Sequence, residues 1–141
     1  MKNFSTQKDK DLLIQDLCSR LYHGVICSIY RVDDWGVGWR DEELTGYWRD
    51  GNTFEFYFGE TPISIYNDIS KIKPYLRPML SMTEEEKKEF DEITLIHTPW
   101  GIQIDRISKL IDWLNSHHFD YRGLIEKGLA IEVTEENNPY K

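Results

Sequence analysis

Apolar positions repeat with two periods along the chain, one helical and one alternating. From Gln7 to Tyr22, Leu13, Leu17 and Leu21 recur at helical spacing with Leu12, Ile14 and Cys18 beside them. This predicts an N-terminal helix over 6–22, capped by Ser5 or Thr6 and ended by Gly24. A helix this short needs a sheet to dock on. Val25 to Val32 is rich in β-branched and aromatic residues and reads as a strand. Leu44–Arg49 and Thr53–Phe58 flank Asp50-Gly51, a strong signal for a tight hairpin. Phe54, Phe56 and Phe58 alternate with Glu55 and Tyr57, so one face is buried and the other wet. Ile63 and Ile65 against Ser64 and Tyr66 extend the pattern, giving an antiparallel sheet over 25–69.

The segment 33–43, DDWGVGWRDEE, with two glycines and five acids, reads as a loop or hairpin tip. Pro74 and Pro78 predict an irregular crossing from Asp68 to Pro78. Thr83 with Glu86 forms a capping box for a helix over 83–93. Its apolar face is thin, which places it on the surface. A hairpin is expected over 95–104, around Thr98-Pro99 or Gly101.

The stripe Ile104, Ile107, Leu110, Ile111 and Leu114 predicts a last long helix, started by Asp105 and stopped at Asn115–His118. Asp120 can cap a second, short helix. Phe119 and Leu124 then form a hydrophobic staple, and Gly128 a left-handed ending that brings Leu129 onto Leu124. The helical unit spans 105–131, and the tail 135–141 is expected to fray. The whole is a single α+β domain over 1–141, with a bent antiparallel sheet or small barrel of about four strands.

At 141 residues, 40% hydrophobic and 13% aromatic, the composition is that of a globular domain. The net charge of −8 argues against direct nucleic-acid binding, which needs a basic face. Cys18 and Cys27 form no CxxC pair, and buried thiols in a reducing cytoplasm are the expectation. No apolar leader or run of about 18 apolar residues is present, so no membrane partner is expected.

Two sets of residues are candidates for function. His117, His118, Asp120 and Arg122, with Tyr121, could supply a general acid, a base and an anion clamp for a small hydrolase or transferase. The competing reading makes Asp120 a cap and the histidines partners for helix-end carbonyls. The histidines and Cys27 lack metal-ligand spacing, and no nucleotide motif occurs, so no metal or cofactor is expected.

The second set lies between Asp33 and Glu60, where eight acids face two arginines. Trp35, Trp39, Tyr47, Trp48 and Tyr57 are interleaved with acids that include Asp41, Glu42 and Glu43. A small sheet buries one face, so some of these rings must be exposed. They then suit a noncatalytic contact with a basic protein partner; cross-strand aromatic pairing is the competing account. An acidic mimic of nucleic acid would require carboxylates spaced over one face.

The stretches KDKDLLIQDLCSRLYHGV, KIKPYLRPMLSMTEEEKKEF and WLNSHHFDYRGLIEKGLAIE resemble an uncharacterised family of short proteins from gut Bacteroidales genomes and their phages and mobile elements. The segment from about Ile26 to Ile65 lies outside the resemblance. The likeness implies a phage or mobile-element setting and assigns no catalytic residue.

Overall fold

A computed structural model describes residues 7–33, 36–51, 53–65, 69–94 and 104–141. The fold is α+β. Helix α1 (Gln7–Ser19) is followed by β1 (Ile26–Asp33), β2 (Gly36–Glu43), β3 (Gly46–Asp50), β4 (Thr53–Phe58), β5 (Thr61–Ile65) and β6 (Ile72–Leu76). Helices α2 (Glu84–Thr94) and α3 (Ile104–Ser116) and the short β7 (Ile131–Glu132) complete it. The expected hairpin at 95–104 falls almost wholly outside the described residues.

Among the described residues the strands form two sheets, ordered β2-β1-β6-β7 and β3-β4-β5, and no closed barrel. The sheets divide at two consecutive residues. Leu44, fully buried, donates its N–H to Val25 O (3.0 Å) and so still belongs to the first sheet. Thr45 donates to Tyr57 O (2.8 Å), and its hydroxyl oxygen accepts the Gly59 N–H (2.9 Å), so it already belongs to the second. Both sheets turn one face to a common core. Leu13 and Leu17 of α1, Cys27 and Ile29 of β1, Phe56 and Phe58 of β4, Ile63 and Ile65 of β5, and Ile72 and Leu76 of β6 meet there with Leu124.

Two segments expected to be irregular are strands. Within the 33–43 segment, Gly36–Glu43 form β2, paired along its whole length with β1. Its acids and glycines mimic a loop, but an edge strand needs no buried side chains, and β2 has none. In the 68–78 crossing, β6 accommodates Pro74 in the middle of a sheet. Tyr30 N–H bonds Lys71 O (2.9 Å), just outside the Ile29–Ile72 pair. Main-chain bonds alternate along an antiparallel ladder, so the Pro74 nitrogen faces away from β1 and removes no bond from it. On the other side, β7 pairs only from Tyr75 onward.

Hairpin β3–β4 forms as predicted, with one adjustment. Asp50 pairs with Thr53 and ends the strand, and Gly51, at φ 59°, carries the reversal. The α2 capping box closes in both directions: Glu86 N–H donates to Thr83 Oγ1 (3.1 Å) and Thr83 N–H to Glu86 Oε1 (2.9 Å). No α2 residue is buried, as expected of a surface helix.

The short helix after Asp120 does not form. Gly123 takes φ 76°, which breaks the helical run, and a single turn follows from Leu124 to Lys127. That turn ends as expected, with Gly128 at φ 74° and bonds Leu129 N–H to Leu124 O and Gly128 N–H to Ile125 O, both 3.0 Å. Leu124 is fully buried. Nor is the tail free over 135–141. The Tyr140 hydroxyl accepts Ile26 N–H (3.0 Å) and donates to Tyr75 O (2.7 Å), and its ring stacks on His118 at 3.7 Å. The aromatic ring gives a polar segment an anchor that charge and composition hide.

Candidate functional site

Helix α3 ends in a second left-handed stop, built on a histidine. Phe119 N–H bonds Leu114 O (3.0 Å) and His118 N–H bonds Asn115 O (3.1 Å), with His118 at φ 64°. A side chain in this conformation costs about 1 kcal/mol or more. The compensation is local: the ring is stacked under Tyr140, and the His118 carbonyl accepts the Arg77 N–H (2.7 Å). Burial, and secondarily the positive charge of Arg20, His117, Arg77 and His23, lowers the His118 pKa to about 4. The ring is therefore neutral at pH 7.

His117 stacks on Trp113 at 4.3 Å, and its Nδ1 lies 2.9 Å from Trp113 O. A carbonyl can only accept, so Nδ1 carries the proton and cannot act as a base toward Ser116 Oγ, 3.3 Å away. Asp120 is engaged as a cap, but further along than expected: Oδ1 accepts Leu124 N–H (2.8 Å) and Oδ2 accepts Ile125 N–H (3.0 Å). Arg122 Nη1 donates to Asp16 Oδ1 (2.9 Å), Ser19 Oγ (3.0 Å) and the Tyr121 hydroxyl (2.9 Å).

The four proposed catalytic groups do not converge. His117 and His118 line an open cleft of about 540 Å³ with Arg77, Ser116 and Tyr140, whereas Asp120 faces a separate hollow of about 490 Å³. Arg122 borders neither of these. Arg77 is engaged by a forked ion pair with Glu86 (2.6 and 2.7 Å), which holds that carboxyl at about 2.

Sequence reasoning missed the residues that organise this turn. Asp16 and Arg20 are completely buried, joined Nε to Oδ2 at 2.8 Å, and Arg20 Nη2 reaches Phe119 O at 2.6 Å. The Asn115 amide joins in, donating to Ser19 O (3.1 Å) and accepting from Tyr121 (2.7 Å). A signal was present: Leu13, Asp16, Leu17 and Arg20 occupy one i, i+3, i+4, i+7 stripe, so two opposite charges lie on the apolar face of α1.

The acidic aromatic residues present a different surface. Pairing sets Tyr30 opposite Trp39 and Val32 opposite Val37, on the face of the first sheet turned away from the core. Val32 is 70% exposed, Val37 63% and Trp39 53%. Trp39 packs edge-on against Tyr30, with centroids 5.4 Å apart. Asp41 and Glu43 continue this face, and Asp41 accepts the Tyr75 hydroxyl at 2.9 Å. Glu42 lies on the opposite face, 3.4 Å from Arg31.

Trp48 is 61% exposed but stands on the second sheet, paired with Glu55, and Tyr57 is half-buried on that same face. Sequence analysis grouped Trp39 with Trp48; the fold puts them on different sheets. Trp35 lies outside the described residues. Tyr30, Val32 and Val37 were missed because their strand alternation became legible only once β2 was known to be their partner.

Among the described residues, no group of three or more His, Cys, Asp or Glu side chains is placed to hold a metal, and no helix is long and apolar enough to cross a membrane. Compared with family models, curated proteins and solved structures, the chain matches none.

Proposed function

We propose that this protein is a noncatalytic interaction module that binds a protein partner through the outer face of the β1–β2 hairpin. The observation that carries this reading is the contiguous exposure of Val32, Val37 and Trp39, with the half-buried Tyr30 packed against Trp39, beside Asp41 and Glu43. Apolar side chains grouped on an uncovered sheet face, rimmed by charge, suit a protein contact. The rim is acidic and the chain carries −8, so the partner's matching surface is basic. The likeness of the flanking segments to proteins of Bacteroidales phages and mobile elements supports a phage or host protein as that partner, and the free thiols Cys18 and Cys27 suit the cytoplasm.

A hydrolase or transferase at 117–122 has weaker support, because Asp120, Arg122 and His117 Nδ1 are each engaged in holding the turn. A nucleic-acid mimic is disfavoured by Glu42, which leaves the Asp41 and Glu43 face to meet Arg31.

The prediction is that Trp39→Ala abolishes retention of the partner on immobilised protein while circular dichroism and melting are unchanged. Trp48→Ala, on the other sheet, should retain it. Undiminished capture by the Trp39 variant would refute this assignment of the surface.

A further inference from the structure

The outer edge of β2, on which no described strand lies, determines how such a partner can attach. Tyr30 N–H bonds Lys71 O, and Leu44 N–H bonds Val25 O. The main-chain groups of Ser28 and Tyr30 therefore face β6, and those of Cys27, Ile29 and Arg31 face β2. Across that ladder Gly36, Gly38, Arg40 and Glu42 bond to β1. Val37, Trp39, Asp41 and Glu43 turn their N–H and C=O groups outward, to an edge on which no described strand lies. These are the same four residues whose side chains form the exposed outer face.

We infer that β2 is a docking edge for strand addition by an extended, basic segment of the partner protein. An incoming strand would hydrogen-bond to the four outward residues, and its side chains on that face would lie beside theirs. Apolar residues would fit beside Val37 and Trp39, and lysine or arginine beside Asp41 and Glu43. The segment therefore reads, at alternate positions, apolar, apolar, basic, basic, in an order set by strand direction. A second copy of this chain fits less well, since its own β2 would bring further acids to an acidic edge. This inference rests on the reading of the β1–β2 face above and adds main-chain bonding to it.

The test uses the full chain and two synthetic peptides, Thr-Val-Thr-Val-Thr-Lys-Thr-Lys-Thr and the same residues in reverse order, with amide exchange followed by NMR. The expected result with one of them is alternate protection. The amides of Val37, Trp39, Asp41 and Glu43 slow by about tenfold or more, while those of Gly38, Arg40 and Glu42, already in a ladder, change little. N-methylation that removes one N–H facing β2, at the second valine of the peptide with lysines first, which binds antiparallel, or at the threonine between the valines of the other, which binds parallel, should weaken binding about tenfold.

The inference is overturned if a peptide shifts the Trp39 indole without alternate protection, if the methylated peptide binds equally well, or if neither peptide binds. It is also overturned if sedimentation shows a dimer that Val37→Pro abolishes and Val37→Ala does not, since the edge would then belong to a second copy. In each case the partner-capture comparison of Trp39→Ala with Trp48→Ala still decides separately whether the face binds protein.

Discussion

The turn from His117 to Leu129 and the β1–β2 hairpin are both rich in aromatic and charged residues, and they use them in opposite ways. In the turn, polar groups point inward and are engaged: Asp120 caps two amides, Arg122 reaches Asp16, and Tyr121 closes on Asn115. On the hairpin, aromatic and aliphatic groups point outward and are uncovered. The contrast teaches that residue types alone do not define a site, since Asp120, Arg122 and His117 Nδ1 are each engaged in holding the turn. The chemically plainer surface is the more exposed one.

The most damaging way to break the turn is through α1. Asp16→Ala leaves the buried Arg20 and the half-buried Arg122 without their carboxylate, and is expected to cost about 3–5 kcal/mol, the usual penalty for stranding one member of a buried ion pair. Replacing both partners, Asp16→Leu with Arg20→Met, should recover part of that loss, because it removes the two fully buried charges together, while Arg122 and the Phe119 carbonyl still lose a partner. Urea unfolding of the single and double variants measures both. A single variant within about 1 kcal/mol of the parent would mean that the network carries little of the turn's stability.

A smaller effect should appear with pH. His118 is held at about 4 in the fold against 6.5 when free, so between these values the unfolded chain binds a proton that the folded chain refuses. Stability is then fully present above pH 6.5 and falls as the pH drops toward about 4. Glu86 adds a separate window at lower pH. Its carboxyl, lowered to about 2 chiefly by the Arg77 hydrogen bonds, contributes stability above pH 4.5 that is lost as pH falls through that range. His118→Gln should flatten the upper window and leave the lower one. An unchanged slope between pH 6.5 and 4 would exclude His118 as its source.

How much of each region was legible differs for a physical reason. Local signals were read well: the Thr83–Glu86 box, the Gly128 ending, the buried Leu124 and the alternation of β4 all depend on residues close in sequence. What escaped depends on partners far along the chain. Arg122 meets Asp16 and Ser19, Tyr140 meets Ile26 and Tyr75, and Pro74 is tolerated only because its nitrogen faces away from β1. Composition misled at β2, where an edge strand needs neither burial nor high β-propensity once a neighbour supplies the ladder. The candidate binding face was half legible. Trp39, Asp41 and Glu43 were named, but Trp48 and Tyr57 were joined to them by nearness in sequence that the division into two sheets undoes.

The smallest expected effect is the sharpest test of the contrast. If the outer face of the β1–β2 hairpin is a binding surface rather than part of the core, then Val32→Thr combined with Val37→Thr should change stability by no more than about 0.5 kcal/mol, the range of ordinary surface substitutions. Both side chains are mostly in water and both replacements keep β-branching, so neither packing nor strand propensity gives a reason for more. The same pair should weaken the partner's retention, since it puts hydroxyls where an apolar contact is needed. A loss of several kcal/mol in urea unfolding would mean that these valines are packed in solution, and the distinction between a committed turn and an uncommitted hairpin would fail at its hairpin end.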